Sequence, residues 1–194
     1  MKVSETSLHD VLLLDIEPVR DERGFFARTW DRAELISRGL TAEVGQVSIA
    51  WNELAGTLRG LHYQSAPHDE AKTVRCLAGS IFDVAVDLRP ASPTYRRWFG
   101  AELSAANRRS LFIPEGCAHG YLTLVDSSEV EYHISAKYRA DAARGYRWDS
   151  PAIAIDWPAP VKRISARDAA LPLFEPADRG LADVIPRGAD LGLG

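Results

Sequence analysis

The run from Ser80 to Leu88 constrains this chain more than any other stretch. Phe82, Val84, Val86 and Leu88 share one parity, and Ile81, Asp83, Ala85 and Asp87 share the other. A period of two is that of a β-strand, whose successive side chains point to opposite faces. Asp83 and Asp87 therefore fall together on the second face. Comparable segments are Val11 to Ile16, Gly24 to Trp30, Glu43 to Ala50, Thr57 to Gln64, Lys72 to Leu77, Trp98 to Leu103, Tyr121 to Val125 and Glu129 to Ser135. Turn residues separate them, at Asp21-Glu22-Arg23-Gly24, Ala78-Gly79, Pro90-Ala91-Ser92-Pro93 and Pro114-Glu115-Gly116. Helix signals are few. Asp31 to Gly39 reads as a short helix capped by Asp31 and stopped by Gly39, and Ser165 to Ala170 as another capped by Ser165. Many short strands at close spacing predict a mainly β chain, folded as an antiparallel sandwich or barrel with a few short helices. A jelly roll is the expected closed form.

A chain of 194 residues can bury a sizeable core as one domain. That domain is expected over residues 1–175. Residues 176–194 carry Gly, Asp and Pro with little periodicity and read as a surface tail or a partner-clasping segment. The net charge is −4 and no run of Lys or Arg occurs, so a nucleic-acid surface is not expected. A small anionic ligand held by a few arginines stays open. The two cysteines, Cys76 and Cys117, form no disulfide framework and no Cys-x-x-Cys pair. Met1 to Glu5 lacks the apolar core of a secretory signal, and no apolar run reaches membrane-spanning length. A cytoplasmic protein with no membrane partner is the expectation.

The chemistry-bearing residues gather in the strand-rich middle. In Arg59-Gly60-Leu61-His62-Tyr63-Gln64, strict alternation puts His62 and Gln64 on one face and Arg59 on the other. A bulge at Gly60 would bring Arg59 and His62 to one cavity; without it they read as a surface arginine and a core histidine. Pro114-Glu115-Gly116-Cys117-Ala118-His119-Gly120 reads as a tight turn presenting an imidazole near a strand start. Gly56, His62, Gln64, Glu70 and Gly79 lie close to the first cupin motif, and Pro114-x-Gly116-x-x-His119 lies close to the second. A metal-binding cupin carries a second His where Gln64 stands. An amide is a poor ligand for Zn or Fe, so a pocket without a metal is expected. Its histidines are then available for proton transfer. Tyr132 in Glu131-Tyr132-His133 can donate a proton if it enters that pocket, with Tyr138 six residues on. Lys72 can stabilise an oxyanion. Asp168 can fix the tautomer of His62, or equally serve as a helix cap.

With these motifs the chain resembles the dTDP-4-dehydrorhamnose 3,5-epimerase family, a branch of the cupins. The matching stretches are Asp21-Glu22-Arg23-Gly24-Phe25-Phe26, Gly56 to Gln64, Phe82 to Arg89, Ser92-Pro93-Thr94, Ile113 to Tyr121 and Ile164-Ser165-Ala166-Arg167-Asp168. The resemblance implies a cupin jelly-roll barrel and cofactor-independent, metal-free epimerisation of a nucleotide-diphosphate 4-keto-6-deoxy sugar. It implies His62 as base, Tyr132 as acid, Asp168 orienting His62, and Lys72 stabilising an enolate. Arg23 and Arg59 would hold the diphosphate, Gln46 and His119 would line the pocket, and Tyr138 would lie near the sugar or the base. Phe26 and Arg167 join the substrate-binding set. The resemblance also implies a strand-exchanged homodimer, in which Arg23 serves the neighbouring subunit's site. Four positions depart from the family pattern: Arg28 and Ala143 where Glu is usual, Ser48 where Asn is usual, and Arg167 where Lys is usual. Inversion at C3 or C5 alone, or of a non-dTDP (for example CDP) sugar, is the alternative within the family. A metal-dependent cupin, a non-catalytic sugar-binding cupin and a 3,4-ketoisomerase are the alternatives outside it.

Overall fold

The computed structural model describes residues 1–175; the tail expected over 176–194 lies outside the described residues. The described residues form fourteen strands and two short helices, in the order β1 (Lys2–Glu5), β2 (Leu12–Asp15), β3 (Val19–Asp21), β4 (Gly24–Phe26), α1 (Arg32–Ser37), β5 (Gln46–Asn52), β6 (Thr57–Gln64), β7 (Lys72–Ala78), β8 (Ser80–Asp87), β9 (Trp98–Ser104), β10 (Ser110–Ile113), β11 (Cys117–Thr123), β12 (Ser128–Ile134), β13 (Ala143–Gly145), β14 (Arg163–Ile164) and α2 (Ala166–Ala169). One sheet runs β1-β2-β10-β7-β12-β5 and a second runs β13-β6-β11-β8-β9, with β14 added parallel to β6. β3 and β4 form a separate hairpin.

The two sheets face each other, and the faces explain the double apolar parity of β8. Ile81 and Ala85 point inward and meet Val74, Leu111, Ile113 and Val130 of the first sheet. Val84, Val86 and Leu88 point outward and are covered by Tyr146, Ile153 and Phe174 from the chain that follows β13. On the far side of the first sheet, Leu12, Leu14 and Phe112 are covered by Leu35 of α1. Fully burying such a side chain stabilises the fold by about 1.5–3 kcal/mol. The inner parity of β8 also carries Asp83 and Asp87, both with no exposed surface. The expected mainly β, jelly-roll arrangement is thus present.

Local expectations hold unevenly. Asp31 caps α1, accepting from the backbone N–H groups of Ala33 and Glu34, and Ser165 caps α2. The segment expected over Gly24 to Trp30 stops at Phe26, which stands opposite Val19, the first residue of its partner β3. The segment expected over Glu43 to Ala50 is displaced to Gln46–Asn52, in register with β12 from Ser128 to Ile134. The segment expected over Tyr121 to Val125 begins earlier, at Cys117, directly after the positive-φ Gly116 that closes the turn. β10, a fully buried strand of four residues, has no alternation and escaped the sequence reading. Among the described residues no helix is long and apolar enough to cross a membrane.

Candidate active site

The β6–β11 pair builds the site. His119 stands opposite His62, but the next paired residue, Tyr121, stands opposite Arg59. Gly60 and Leu61 together oppose Gly120 alone, which is a β-bulge. Only glycine fits there. A Cβ on Gly60 would lie 2.6 Å from Gly120 Cα and 2.7 Å from the His119 carbonyl oxygen, and its φ is +114°. The extra residue reverses the alternation, so Leu61 and Tyr63 join the outer core while Arg59 and His62 line one cavity.

That cavity measures about 730 Å³ and lies between the facing sheets. Gln46, Arg59, His62, Lys72, His119, Tyr132, Tyr138, Arg167 and Asp168 all line it. Arg23 and Phe26 do not. They sit on the exposed β3–β4 hairpin, where Arg23 hydrogen-bonds Asp21 and Phe26 is 77% exposed.

Two histidine–carboxylate pairs stand on the same wall. His62 Nε2 is 2.7 Å from Asp168 Oδ1, and the Gly60 N–H donates to Asp168 Oδ2 at 3.2 Å. Asp168 accordingly acts on the imidazole, while its own backbone N–H is taken by the Ser165 cap. Burial pushes the Asp168 carboxyl up, but the His62 hydrogen bond and charge, with the Gly60 amide, leave it below the usual carboxylate value. With Nε2 donating to Asp168, Nδ1 of His62 is the proton acceptor. His119 Nε2 is likewise 2.7 Å from Asp83 Oδ1. Burial pushes the Asp83 carboxyl above its usual value, against the pull of His119 and Lys72.

Tyr132 reaches the cavity from the opposite sheet, on β12, with its ring 5.8 Å from that of His119. Burial above all, aided by the neighbouring Tyr121 phenol, holds the Tyr132 hydroxyl well above the ordinary phenol value, so it is a protonated donor. Lys72 forms a buried ion pair with Glu70 at 2.7 Å and lies 3.5 Å from the His62 carbonyl oxygen. An ammonium has three protons, which leaves one for a ligand. Arg59 donates from Nε to Asn52 Oδ1 at 2.9 Å and from Nη2 to the Trp51 carbonyl at 3.3 Å. Gln46 accepts from the Tyr138 N–H at 2.8 Å, tying both residues to the rim.

Gln64 spends its amide on the backbone, accepting from the Arg139 N–H and donating to the His68 and Lys137 carbonyls. Among the described residues no group of three His, Cys, Asp or Glu side chains is placed to hold a metal ion. Asp83, Asn52, Glu70 and Tyr121 were not assigned to the site from sequence. Asp83 carried a signal in its parity on β8, and Tyr121 shares the parity of His119. Glu70 carried one in its place in the stretch close to the first cupin motif, and Asn52 offered none.

The sequence matches, over residues 5–176, the family model described as dTDP-4-dehydrorhamnose 3,5-epimerase. It is 41% identical over 181 residues to the dTDP-4-dehydrorhamnose 3,5-epimerase of Salmonella typhimurium, covering 91% of this chain and 97% of that one. The crystal structure of the dTDP-4-dehydrorhamnose 3,5-epimerase from Elizabethkingia anophelis superposes with a TM-score of 0.87 at 33% identity, over 90% of this chain and 96% of that one. The Legionella pneumophila 3,5-epimerase, solved in complex with dTDP-4-keto-L-rhamnose, superposes with a TM-score of 0.81 at 35% identity, over 89% and 92%. A bulge that turns Arg59 and His62 into one chamber, a phenol across from them and this breadth of similarity agree, and the chain belongs to the dTDP-4-dehydrorhamnose 3,5-epimerase family.

Proposed function

We propose that this isomerase inverts C3 and C5 of a dTDP-linked 4-keto-6-deoxy hexose, with His62 as base and Tyr132 as acid. One observation supports this above others: the two side chains enter a single cavity from facing sheets, on β6 and on β12. C3 and C5 both flank the C4 ketone, so loss of a proton from either gives an enolate. Inversion needs the proton to leave one face and return to the other, hence two groups across the ring. His62 Nδ1 takes the proton, and Asp168 stabilises the imidazolium. The remaining proton of Lys72 serves the C4 oxygen as charge grows there. Tyr132 delivers its proton to the opposite face. Arg59 and Arg167 suit a diphosphate, which guanidinium forks bind in two-point fashion.

Arg23 and Phe26 fit a homodimer in which each hairpin serves the neighbour's cavity. The exposed Val47, Ile49 and Trp51 along β5 favour the same arrangement, since an apolar strand at a sheet edge is otherwise a liability. Nucleotide sugars are cytoplasmic metabolites, which agrees with the location read from the sequence. Of the four departures from the family pattern, Ser48, Ala143 and Arg167 line the cavity, whereas Arg28 pairs with Asp31.

The test is incubation with dTDP-, CDP- and GDP-4-keto-6-deoxy sugars in deuterated water, followed by NMR. Deuterium entering C3 and C5 of the dTDP sugar, with inversion, is the expected result. The same spectra report which base is preferred and whether one carbon alone inverts. No exchange with any of the three would overturn the assignment.

A further inference from the structure

The proton transfers assigned to His62 and Tyr132 give Glu70 no task, yet its carboxylate is built into the cavity wall. Glu70 and Lys72 stand two residues apart at the start of β7, so extended backbone turns both side chains to one side. Ala71 between them is buried with Leu12, Leu35 and Phe112. Its backbone is held twice by Ser135, whose Oγ accepts from the Ala71 N–H at 2.8 Å and whose N–H donates to the Ala71 carbonyl at 2.9 Å. The carboxylate therefore stands on a fixed base, and its Oε1 meets Lys72 Nζ at 2.7 Å. The two side chains are only 9% and 10% exposed.

Lys72 has little else to hold it. Its ammonium makes one long contact, 3.5 Å to the His62 carbonyl oxygen. The other carboxylate on the cavity wall, Asp168, is taken by His62 and the Gly60 N–H. The guanidinium groups of Arg59, Arg144, Arg163 and Arg167 line the same chamber and repel an ammonium. A diphosphate drawn in by arginines attracts it. A flexible four-carbon stem would follow that pull away from the ketone. Resting on the epimerase reading, we propose that Glu70 is the positioning residue for Lys72. It tethers the ammonium through one proton, so that another stays aimed at the C4 oxygen. Charge collects on that oxygen as His62 Nδ1 takes the proton and the C–H electron pair enters the enolate. Glu70 thus acts before the two faces of the ring are told apart, and deuterium exchange and inversion both depend on it.

The experiment measures exchange and inversion of the dTDP-linked 4-keto sugar in deuterated water for wild type, Glu70→Gln, Lys72→Met and the double variant, with a titration of dTDP alongside. Glu70→Gln keeps the shape of the side chain and removes its charge. Exchange and inversion are expected to fall together by about 100-fold in kcat, the effect of displacing a reacting group by about 1 Å. KM does not rise, and dTDP binds at least as tightly as to wild type, because the released ammonium is free to reach the diphosphate. In the Lys72→Met background the same change lowers neither rate further, since a residue acting only through Lys72 has nothing left to position. A further loss in that background would overturn the proposal, as would wild-type rates in Glu70→Gln. Loss of dTDP binding along with both rates would show a merely structural role and overturn it too. A wild type that neither exchanges nor inverts would overturn the epimerase reading itself, and this inference with it.

Discussion

His62–Asp168 and His119–Asp83 share one wall and one separation, 2.7 Å, yet their surroundings are opposite. The His62 side chain is 36% exposed, and its carboxylate also receives a backbone N–H. The His119 side chain is 5% exposed, and Asp83 has no exposed surface. Asp83 Oδ2 also has no hydrogen-bond partner among the described residues. The first carboxyl is drawn below its usual range and the second is pushed above it. Under the proposed mechanism, identical residue types serve as a working base in one place and as part of a fixed wall in the other. Solvent access and the number of donors to the carboxylate decide which.

The strongest way to break this contrast is His62→Ala. Loss of the base predicts a fall in solvent-deuterium exchange of about 10³-fold. Exchange retained at the wild-type rate would move the base to His119 and reverse the two roles. Tyr132→Phe comes next, with inversion down by at least roughly 100-fold and exchange preserved, because only the opposite-face donor is gone. Asp168→Asn should lower exchange by about 100-fold through the wrong imidazole tautomer, whereas Asp83→Asn should cost about tenfold or less. Equal losses would show that both pairs do the same work.

The smallest and sharpest test is the pH dependence of stability. A carboxyl with a lowered native pKa contributes stability that is complete above the ordinary value of 3.8 and is lost as pH falls through the native value. The advantage of wild type over Asp168→Asn should therefore shrink on acidification below 3.8. A carboxyl with a raised native pKa costs stability above that pKa, and the cost disappears as pH falls towards 3.8. Wild type should then gain on Asp83→Asn over that higher window. Urea denaturation from about pH 7 to about pH 3 reads both slopes, each amounting to roughly 1 kcal/mol per unit of displaced pKa.

Much of this was legible in the residues, and the gaps have physical causes. Period-two runs such as Ser80–Leu88 disclosed both faces of a strand, and Gly60 between Arg59 and His62 offered a bulge as one of two readings, the other being a surface arginine and a core histidine. Nine of the named site residues line the cavity: alternation plus one glycine places those on strands, whereas Tyr138, Arg167 and Asp168 lie off the strands and were named with the help of the family resemblance. The rest depended on long-range pairing. Ser110–Ile113 is buried on both faces and so shows no alternation. The displacement of Gln46–Asn52 follows its register with β12, distant in sequence. Glu70 stood in the stretch close to the first cupin motif, but its pairing with Lys72 at the cavity shows only in the folded chain. Arg23 and Phe26 lie on an exposed hairpin away from the cavity, so a role in the site depends on the proposed homodimer.

Because proton removal and proton return are assigned to walls of different sheets, handedness in the product becomes a matter of spacing. The gap between those walls is set by methyl-scale interdigitation of Val74, Leu111 and Val130 with Ile81 and Ala85, none of which lines the cavity. Shaving one of them, as in Ile81→Val, should thus surface as sloppier stereochemistry before it surfaces as a fall in turnover, so the enzyme's fidelity is in part a property of its greasy interior.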